Sequence, residues 1–427
     1  MRSLLLLASL LLAACDGGSA PSTVNKDIAM DPLTDINARL AFTCRHETLP
    51  EPSADADVLF KYARWLQVNN QLKEDTAVDK QVERLYRIAA ADGHVKAGIN
   101  LLNGALRGHF SVSGAEQLRM SQGLIDKQVA TGYYFIAIYL QYGAGGLKKD
   151  EEKALRYYRK AADEGSALAQ ASVGNKLFQI EGTGDVARQM WRCAAEQGEG
   201  DVASSLGVNL KGKGRYQEAI EAFQLGVAAG TPSSASFLEN GFNGPEPTDD
   251  LYYLGQQHDP ERVSRYKKIW KILSDYAYAH PGIPEINDIV PLPPAPLPVW
   301  DGKVKWVEAR KANVQPTKPN EALIAKLARQ QQLNPATGRP LPSSANFDKE
   351  PVAKLLCQTG EPCPKSGYWQ IAWLPYRGIS KDEILYVDEG TIMPTDTVVY
   401  YQHRIWPLGS KRIEQQQQVH WRFLTEA

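Results

Sequence analysis

Seven histidines, His46, His94, His109, His258, His280, His403 and His420, are scattered singly along the 427 residues. No G-x-S-x-G elbow that would expose a serine nucleophile occurs, no zinc-binding H-E-x-x-H and no phosphate-cradling G-x-x-x-x-G-K-[ST] loop. His94-Val95-Lys96 opens the H-x-K-x-x-x-x-D pattern of phospholipase D, but Leu101 stands where the acid belongs. Asp388-Glu389 falls in a turn, where solvation is the expected role, and His403 sits beside Arg404 on an expected strand. The reading is therefore of a chain that is not an enzyme, with no cofactor and no metal. Cys357 and Cys363 lie in the turn-rich stretch CQTGEPC and are expected to close a local disulfide. Too few ligands surround them for a zinc site. Whether Cys44 and Cys193 pair or stay as buried thiols is left open.

The chain opens MRSLLLLASLLLAACDGG. One cation and a short apolar run make a secretory signal, too short to span a bilayer. Leu12-Ala13-Ala14-Cys15 resembles the lipobox of bacterial lipoproteins. The resemblance implies cleavage before Cys15 and lipid on that residue. Several acyl chains exceed the two-signal threshold for stable anchoring. The expected location is the periplasm, with the chain held on a membrane it does not span. Asp16 resembles an inner-membrane retention signal of enteric bacteria, but inner and outer membrane both stay open. Formal net charge is −1 with no dominant basic run. That argues against nucleic-acid binding.

What such a chain builds is written in its repeats. Gly93, Gly132, Gly165, Gly198 and Gly230 each follow an Ala-rich helical end, at steps of 39, 33, 33 and 32 residues. In EEKALRYYRKAADEG the set Ala154, Leu155, Tyr158, Ala161 and Ala162 has helical spacing. Each Gly is expected to supply the left-handed residue that ends its helix. A second helix follows, with Ala137, Gly174 or Gly207 where two helices cross. Each helix pair buries its apolar face only by stacking on the next. The pattern AxxYYRKAADxGxAxAQxxxG at 154–174, degraded at 187–207, resembles the Sel-1-like repeat, a relative of the tetratricopeptide repeat. That resemblance implies a concave face lined by second helices. Tyr134, Tyr139, Tyr142, Lys176 and Phe178 are the candidates to project there and bind a partner.

Composition shifts after Tyr253. DPERVSRYKKIWKILSDYAYAH reads as one long helix ended by Pro281. The prolines of DIVPLPPAPLPVW favour an extended strap across the domain surface. A helix is expected at 319–332. From about 350, aromatic and β-branched runs separated by turns suggest a small antiparallel sheet. The expected organisation is a signal peptide at 1–14, a tether at 15–55, helical repeats at 56–250, a connecting region at 251–345 and a β-rich domain at 346–427. The fold class is thus mainly α: a Sel-1-like α/α solenoid followed by a small C-terminal antiparallel β-rich domain.

IPEINDIVPLPPAPLPVWDG resembles the start of an uncharacterised domain found behind Sel-1-like repeats in bacterial lipoproteins. GEPCPKSGYWQ followed by GTIMP resembles a short module of toxin–immunity loci in proteobacteria. Lipoproteins of this kind resemble immunity proteins encoded beside phospholipase effectors of the type VI secretion system. The resemblance implies a phospholipase-type toxin as protein partner, neutralised by steric occlusion. The alternative is a periplasmic scaffold or activator for envelope enzymes.

Overall fold

A computed structural model describes residues 40–347, 356–373, 379–380, 385–402 and 411–425. Cys15 and His403 lie outside them. The described fold belongs to the compact unit Ala41–Ala427. Among the described residues, eleven helices come first: α1 Ala54–Asn70, α2 Thr76–Ala91, α3 Val95–Leu106, α4 Gly114–Asp126, α5 Thr131–Tyr142, α6 Glu151–Asp163, α7 Ala167–Phe178, α8 Gly184–Glu196, α9 Gly200–Gly212, α10 Tyr216–Ala228 and α11 Pro232–Phe242. Each packs on its neighbour in sequence. Starts are marked by polar caps: Ser53, Asp75, Ser113 and Asp150 accept first-turn N–H groups through their side chains. In α6, Ala154, Tyr158, Ala161 and Ala162 are buried. Leu155, expected on that face, is 49% exposed.

Gly93, Gly165, Gly198 and Gly230 end their helices at positive φ, as their spacing predicted. Gly132 departs from the series. It lies inside α5, and the left-handed residue of that turn is Gln128, at φ 60°. At Gly132 the constraint is space instead: a Cβ there would stand 2.6 Å from the Ser121 carbonyl oxygen. Stacking uses a small residue against a large ring. A Cβ on Gly174 would fall 2.6 Å from Cδ1 of Trp191, and one on Gly207 2.5 Å from Cε1 of Phe223.

Residues 41–53 form an extended strap along the turns between paired helices. The Arg45 carbonyl accepts from Gln170 Nε2 at 2.8 Å. The Glu47 carboxylate accepts from Thr131 N at 2.6 Å and Thr131 Oγ1 at 2.8 Å, capping α5, which has no side-chain cap of its own. Cys44 is bonded to Cys193 of α8. That disulfide resolves the open pair and closes a loop of 149 residues.

Beyond α11, helix α12 (Pro260–Asp275) is capped by Asp259. It ends five residues before His280 rather than running to Pro281; a 3₁₀ turn, Ala277–Ala279, follows, closed by His280 at φ 49°. Two arginines of α12 hold the proline-rich strap. Arg262 donates to the carbonyls of Pro291 at 3.1 Å and Ala295 at 2.7 Å. Arg265 donates to those of Ile289 at 2.7 Å and Pro298 at 2.8 Å. A proline-rich segment has few N–H groups to satisfy its own carbonyls, so donors must come from outside. Short helices α13 (Ile286–Ile289) and α14 (Lys305–Ala312) precede α15 (Glu321–Gln330). Asn320, rather than Pro319, opens α15, accepting from Leu323 N at 2.8 Å. There the chain has returned to its first repeat: Arg84 of α2 bonds Glu321 at 2.6 Å and the Pro335 carbonyl at 2.6 Å.

The described residues of the C-terminal region form two antiparallel sheets where one was expected. The four-stranded sheet has order β1-β7-β2-β4, from Leu356–Gln358, His420–Thr425, Gly367–Trp373 and Leu385–Val387. The other joins β3 (Ile379–Ser380), β5 (Asp396–Gln402) and β6 (Lys411–Gln417). Trp369 and Trp421 are fully buried in the core of the first. Cys357 and Cys363 are not bonded to each other; both are free, buried thiols in that core. The loop is closed by backbone pairing instead. Cys363 N donates to Thr391 O at 2.7 Å and Gly390 N to Cys363 O at 2.7 Å. Thus GEPCP and GTIMP are two sides of one ladder.

Gly165 sits where two constraints coincide. Its φ is +112°, and a Cβ would lie 3.0 Å from the backbone of His46 and Glu47 in the strap. Gly165→Val is expected to cost about 2 kcal/mol or more, read as a lowered Tm. Cys44→Ser should cost about 2–4 kcal/mol and make residues 41–53 more accessible to protease, without abolishing the helical signal in circular dichroism.

Candidate protein-binding surface

The five residues singled out from sequence divide into three environments. Tyr139 does not reach the surface. It is fully buried among Leu102, Leu124, Val129 and Phe135, and its hydroxyl lies 3.4 Å from Ser121 Oγ. Burial pushes its phenol pKa up, so it stays a neutral core residue. The helical period explains the correction. Tyr139 is four residues after Phe135 and seven after Gly132, all on the buried face of α5.

Tyr134 and Tyr142, on α5, are half-buried. Tyr134 meets Tyr158 of α6 edge-on, with centroids 5.7 Å apart. Burial raises its phenol pKa, and the Ser172 side chain of α7 acts against that shift. Tyr158 Oη donates to Gln141 Oε1 at 2.7 Å. Tyr142 is close enough to act electrostatically on both rings. Glu199, just before α9, acts on Tyr134 as well. Burial first, and the neighbouring Asp201 charge second, raise the Glu199 pKa. The result is a patch of phenols and one carboxyl drawn from several repeats. It offers hydrogen bonds and ring faces, and it couples packing between repeats to surface chemistry.

Lys176 and Phe178, at the end of α7, are exposed. Phe178 lies 4.7 Å, centroid to centroid, from Trp191 of the next repeat. Trp191 is itself fixed: it fills the space over Gly174 and donates to Asn175 Oδ1 at 2.8 Å. Phe178 is therefore an apolar ring, 43% exposed, on a rigid base. Large aromatics so held are typical interface anchors. Ile180, two residues on, is 55% exposed and extends the apolar surface. Sequence reasoning passed over it because it falls beyond the last helical turn.

Among the described residues, one group brings three metal-ligating atoms within 4.8 Å of one another: those of Cys44, His46 and Cys193. Its two sulfurs are bonded to each other. His46 Nε2 instead faces Glu196 at 3.4 Å. His94, the start of the failed phospholipase pattern, caps α3 by accepting from Ala97 N at 3.2 Å. Burial lowers its pKa and keeps it neutral. His420 belongs to β7, next to Gln358 of β1, with 2.9 Å between Nε2 atoms.

Two family models match this chain. Residues 130–166 match the Sel1 repeat, and residues 234–341 match a domain of unknown function, DUF6396. The first match takes in α5 and α6, one unit of the helical stack. The second match begins within α11 and takes in the proline-rich strap, α15 and the return to the first repeat. Solved structures similar to this chain include PA5086 of Pseudomonas aeruginosa, at 24% identity and TM-score 0.43, covering 60% of this chain and 96% of that one. The immunity protein PA5088 of the same organism aligns at 22% identity and TM-score 0.44, covering 60% and 95%. A Sel1 repeat protein from Oxalobacter formigenes aligns at 18% identity and TM-score 0.37, covering 51% and 87%. No curated protein sequence matches the chain.

The split between core and surface is open to measurement. Tyr139→Ala is expected to cost about 3–5 kcal/mol in chemical denaturation, as for a large ring removed from a closed core. Phe178→Ala should change stability by less than about 1 kcal/mol, because the ring keeps much of its water in the folded state.

Proposed function

We propose that this chain is a lipid-anchored periplasmic immunity protein that binds and neutralises a phospholipase-type effector of the type VI secretion system. The observation that carries the reading is the rigid surface over α5–α8. There Phe178 stands on Trp191, and Tyr134 and Tyr142 lie across the repeat junction, all on stacked Sel1-type repeats. Such a surface suits the holding of a protein. Interface energy concentrates in a few well-supported aromatic anchors. The partner class rests on the resemblance read from the sequence, where a lipobox, Sel-1-like repeats and the GEPCP–GTIMP module occur in one chain.

The anchor at Cys15 would keep the protein on the membrane its partner attacks. Inhibition is steric: the complex covers the toxin's active-site entrance or the face it lays on lipid. The protein's own side chains are asked only to bind, not to turn over substrate.

Co-expression decides the matter. Cells that make the product of a neighbouring lipase-like gene in the periplasm should survive when this protein is present, and the two should co-purify. Equal killing with and without it overturns the reading. In the same strains, wild type should take up radiolabelled palmitate and Cys15→Ala should not. Wild type without label would remove the anchor from the proposal and leave the binding intact.

A further inference from the structure

Most arginines of the described solenoid have a carboxylate partner. Arg84 is paired with Glu321, Arg87 with Glu83 and Glu116, Arg159 with Asp163 and Arg215 with Glu218. Arg64, Arg107 and Arg310 form no ion pair among the described residues. They come from three distant parts of the chain, yet they meet at one seam, where the segment after α12 closes on α1 and α3.

Several contacts define that seam. The Arg310 guanidinium lies 5.4 Å from the ring centre of Tyr278 and 5.5 Å from that of Trp306. Asn313, three residues on, accepts from Trp65 Nε1 at 2.9 Å, so α14 ends beside Arg64. Arg64 donates to Gln67 Oε1 at 2.9 Å, within its own helix. Arg107 follows the last turn of α3. The carbonyls of Ala105 and Leu106 beside it are taken by Arg422 of β7, at 3.2 and 3.3 Å. His280 follows Tyr278 by two residues, closing the same 3₁₀ turn, and it lies within electrostatic reach of Arg107 and Arg64. Burial, and then the charges of Arg107 and Arg64, hold its pKa below the usual value. The nearby carboxylates do not neutralise the seam: Asp275 is bonded to Lys271 at 3.0 Å and Glu308 to Lys311 at 3.2 Å. In a chain of net charge −1, this is a local excess of positive charge that no carboxylate of the described residues pairs.

We propose that Arg64, Arg107 and Arg310, at the seam where the segment after α12 meets the first helices, are the docking point for a carboxylate-rich segment on the surface of the protein partner. The inference rests on the protein-binding reading above and adds to it a second surface and its chemistry. Guanidinium forks match carboxylates in pairs of parallel hydrogen bonds. The rings of Tyr278 and Trp306 hold Arg310 in place, so less freedom is lost when it binds. Arginine with tyrosine and tryptophan is also the composition enriched at protein interfaces, where lysine is depleted. A patch meant for an anionic lipid surface would carry about four to eight clustered cations, more than the three here. The unpaired charges would also steer an acidic partner during its approach.

The test uses full-length protein and a fluorescein-labelled octaglutamate peptide, read by anisotropy in low salt. Wild type should bind the peptide. Arg64→Glu with Arg107→Glu should weaken binding by about tenfold or more, and Arg310→Gln should weaken it less. A control reversal at two exposed cations elsewhere, Lys80→Glu with Arg329→Glu, should leave it within about twofold. Melting curves check that each variant is folded, and since Arg64 and Arg107 are exposed, their reversal should be tolerated. Equal loss in the control pair, or no binding by wild type, overturns the docking point. So does cluster-dependent binding of phosphatidylglycerol vesicles with none of the peptide. A toxin held equally well by wild type and the Arg64/Arg107 variant would also overturn it, while leaving the immunity reading standing. A toxin not held by wild type sinks the immunity reading alone, because the peptide measurement does not depend on it.

Discussion

The contact on which the rest depends is a large ring set into the space left by a glycine. Trp191 lies over Gly174, and Phe223 lies over Gly207. A methyl group in either place would overlap the ring, so one helix approaches the next only because the side chain is missing. The gain is burial of a full aromatic side chain, about 1.5–3 kcal/mol each by area. The cost is glycine in a helix interior, about 1 kcal/mol. Burial wins, and the geometry then fixes what stands outside it. Phe178 is held where it is because Trp191 cannot move.

Stacking alone leaves the two ends of a repeat array open, and this chain closes them with segments that are not repeats. The strap at 41–53 ties helix pairs together through Gln170, Thr131 and the Cys44–Cys193 bond. The segment after α12 runs in extended form where prolines forbid a helix, fed by Arg262 and Arg265. It then returns to α2, where Arg84 donates to both Glu321 and the Pro335 carbonyl. The buried cluster of Glu83, Arg87 and Glu116 beneath it takes Arg339 as well, at 3.5 Å from Glu83. Ion pairs of this kind are weak sources of stability, but an unpaired member would be costly. They therefore fix register: the return segment fits in one position.

Much of this was legible in the sequence, and the rest was hidden for physical reasons. The glycine ladder gave the repeats because a left-handed residue has few chemical solutions. At Gln128 another residue took that role, and the ladder misled by one rung. Tyr139 was misplaced because a tyrosine on a helix carries no mark of which face it occupies; only the phase set by Phe135 does. Cys357 and Cys363 had a spacing that suits a disulfide, but the pairing of 359–363 with 390–393 closes the same loop without one. The cation seam was invisible, since residues 64, 107, 280 and 310 share no motif. Only the return of the chain brings them together.

That return has a consequence for binding. Repeats provide a regular surface, and regular surfaces discriminate poorly between partners. Specificity needs features that break the pattern. Here the departures are concentrated: the ring of Phe178 at a repeat end, the phenols around Tyr134, and three arginines left without carboxylates where the last segment meets the first repeat. Arg310 is set by residues 276–313, outside the helix pairs, against Arg64 and Arg107 at the first helices, and the aromatic surface is set by residues 134–191. Change in one leaves the packing of the other untouched, because no side chain is shared between them. A fold arranged this way keeps its core contacts constant, ring over glycine, while the groups that meet a partner vary at little structural expense.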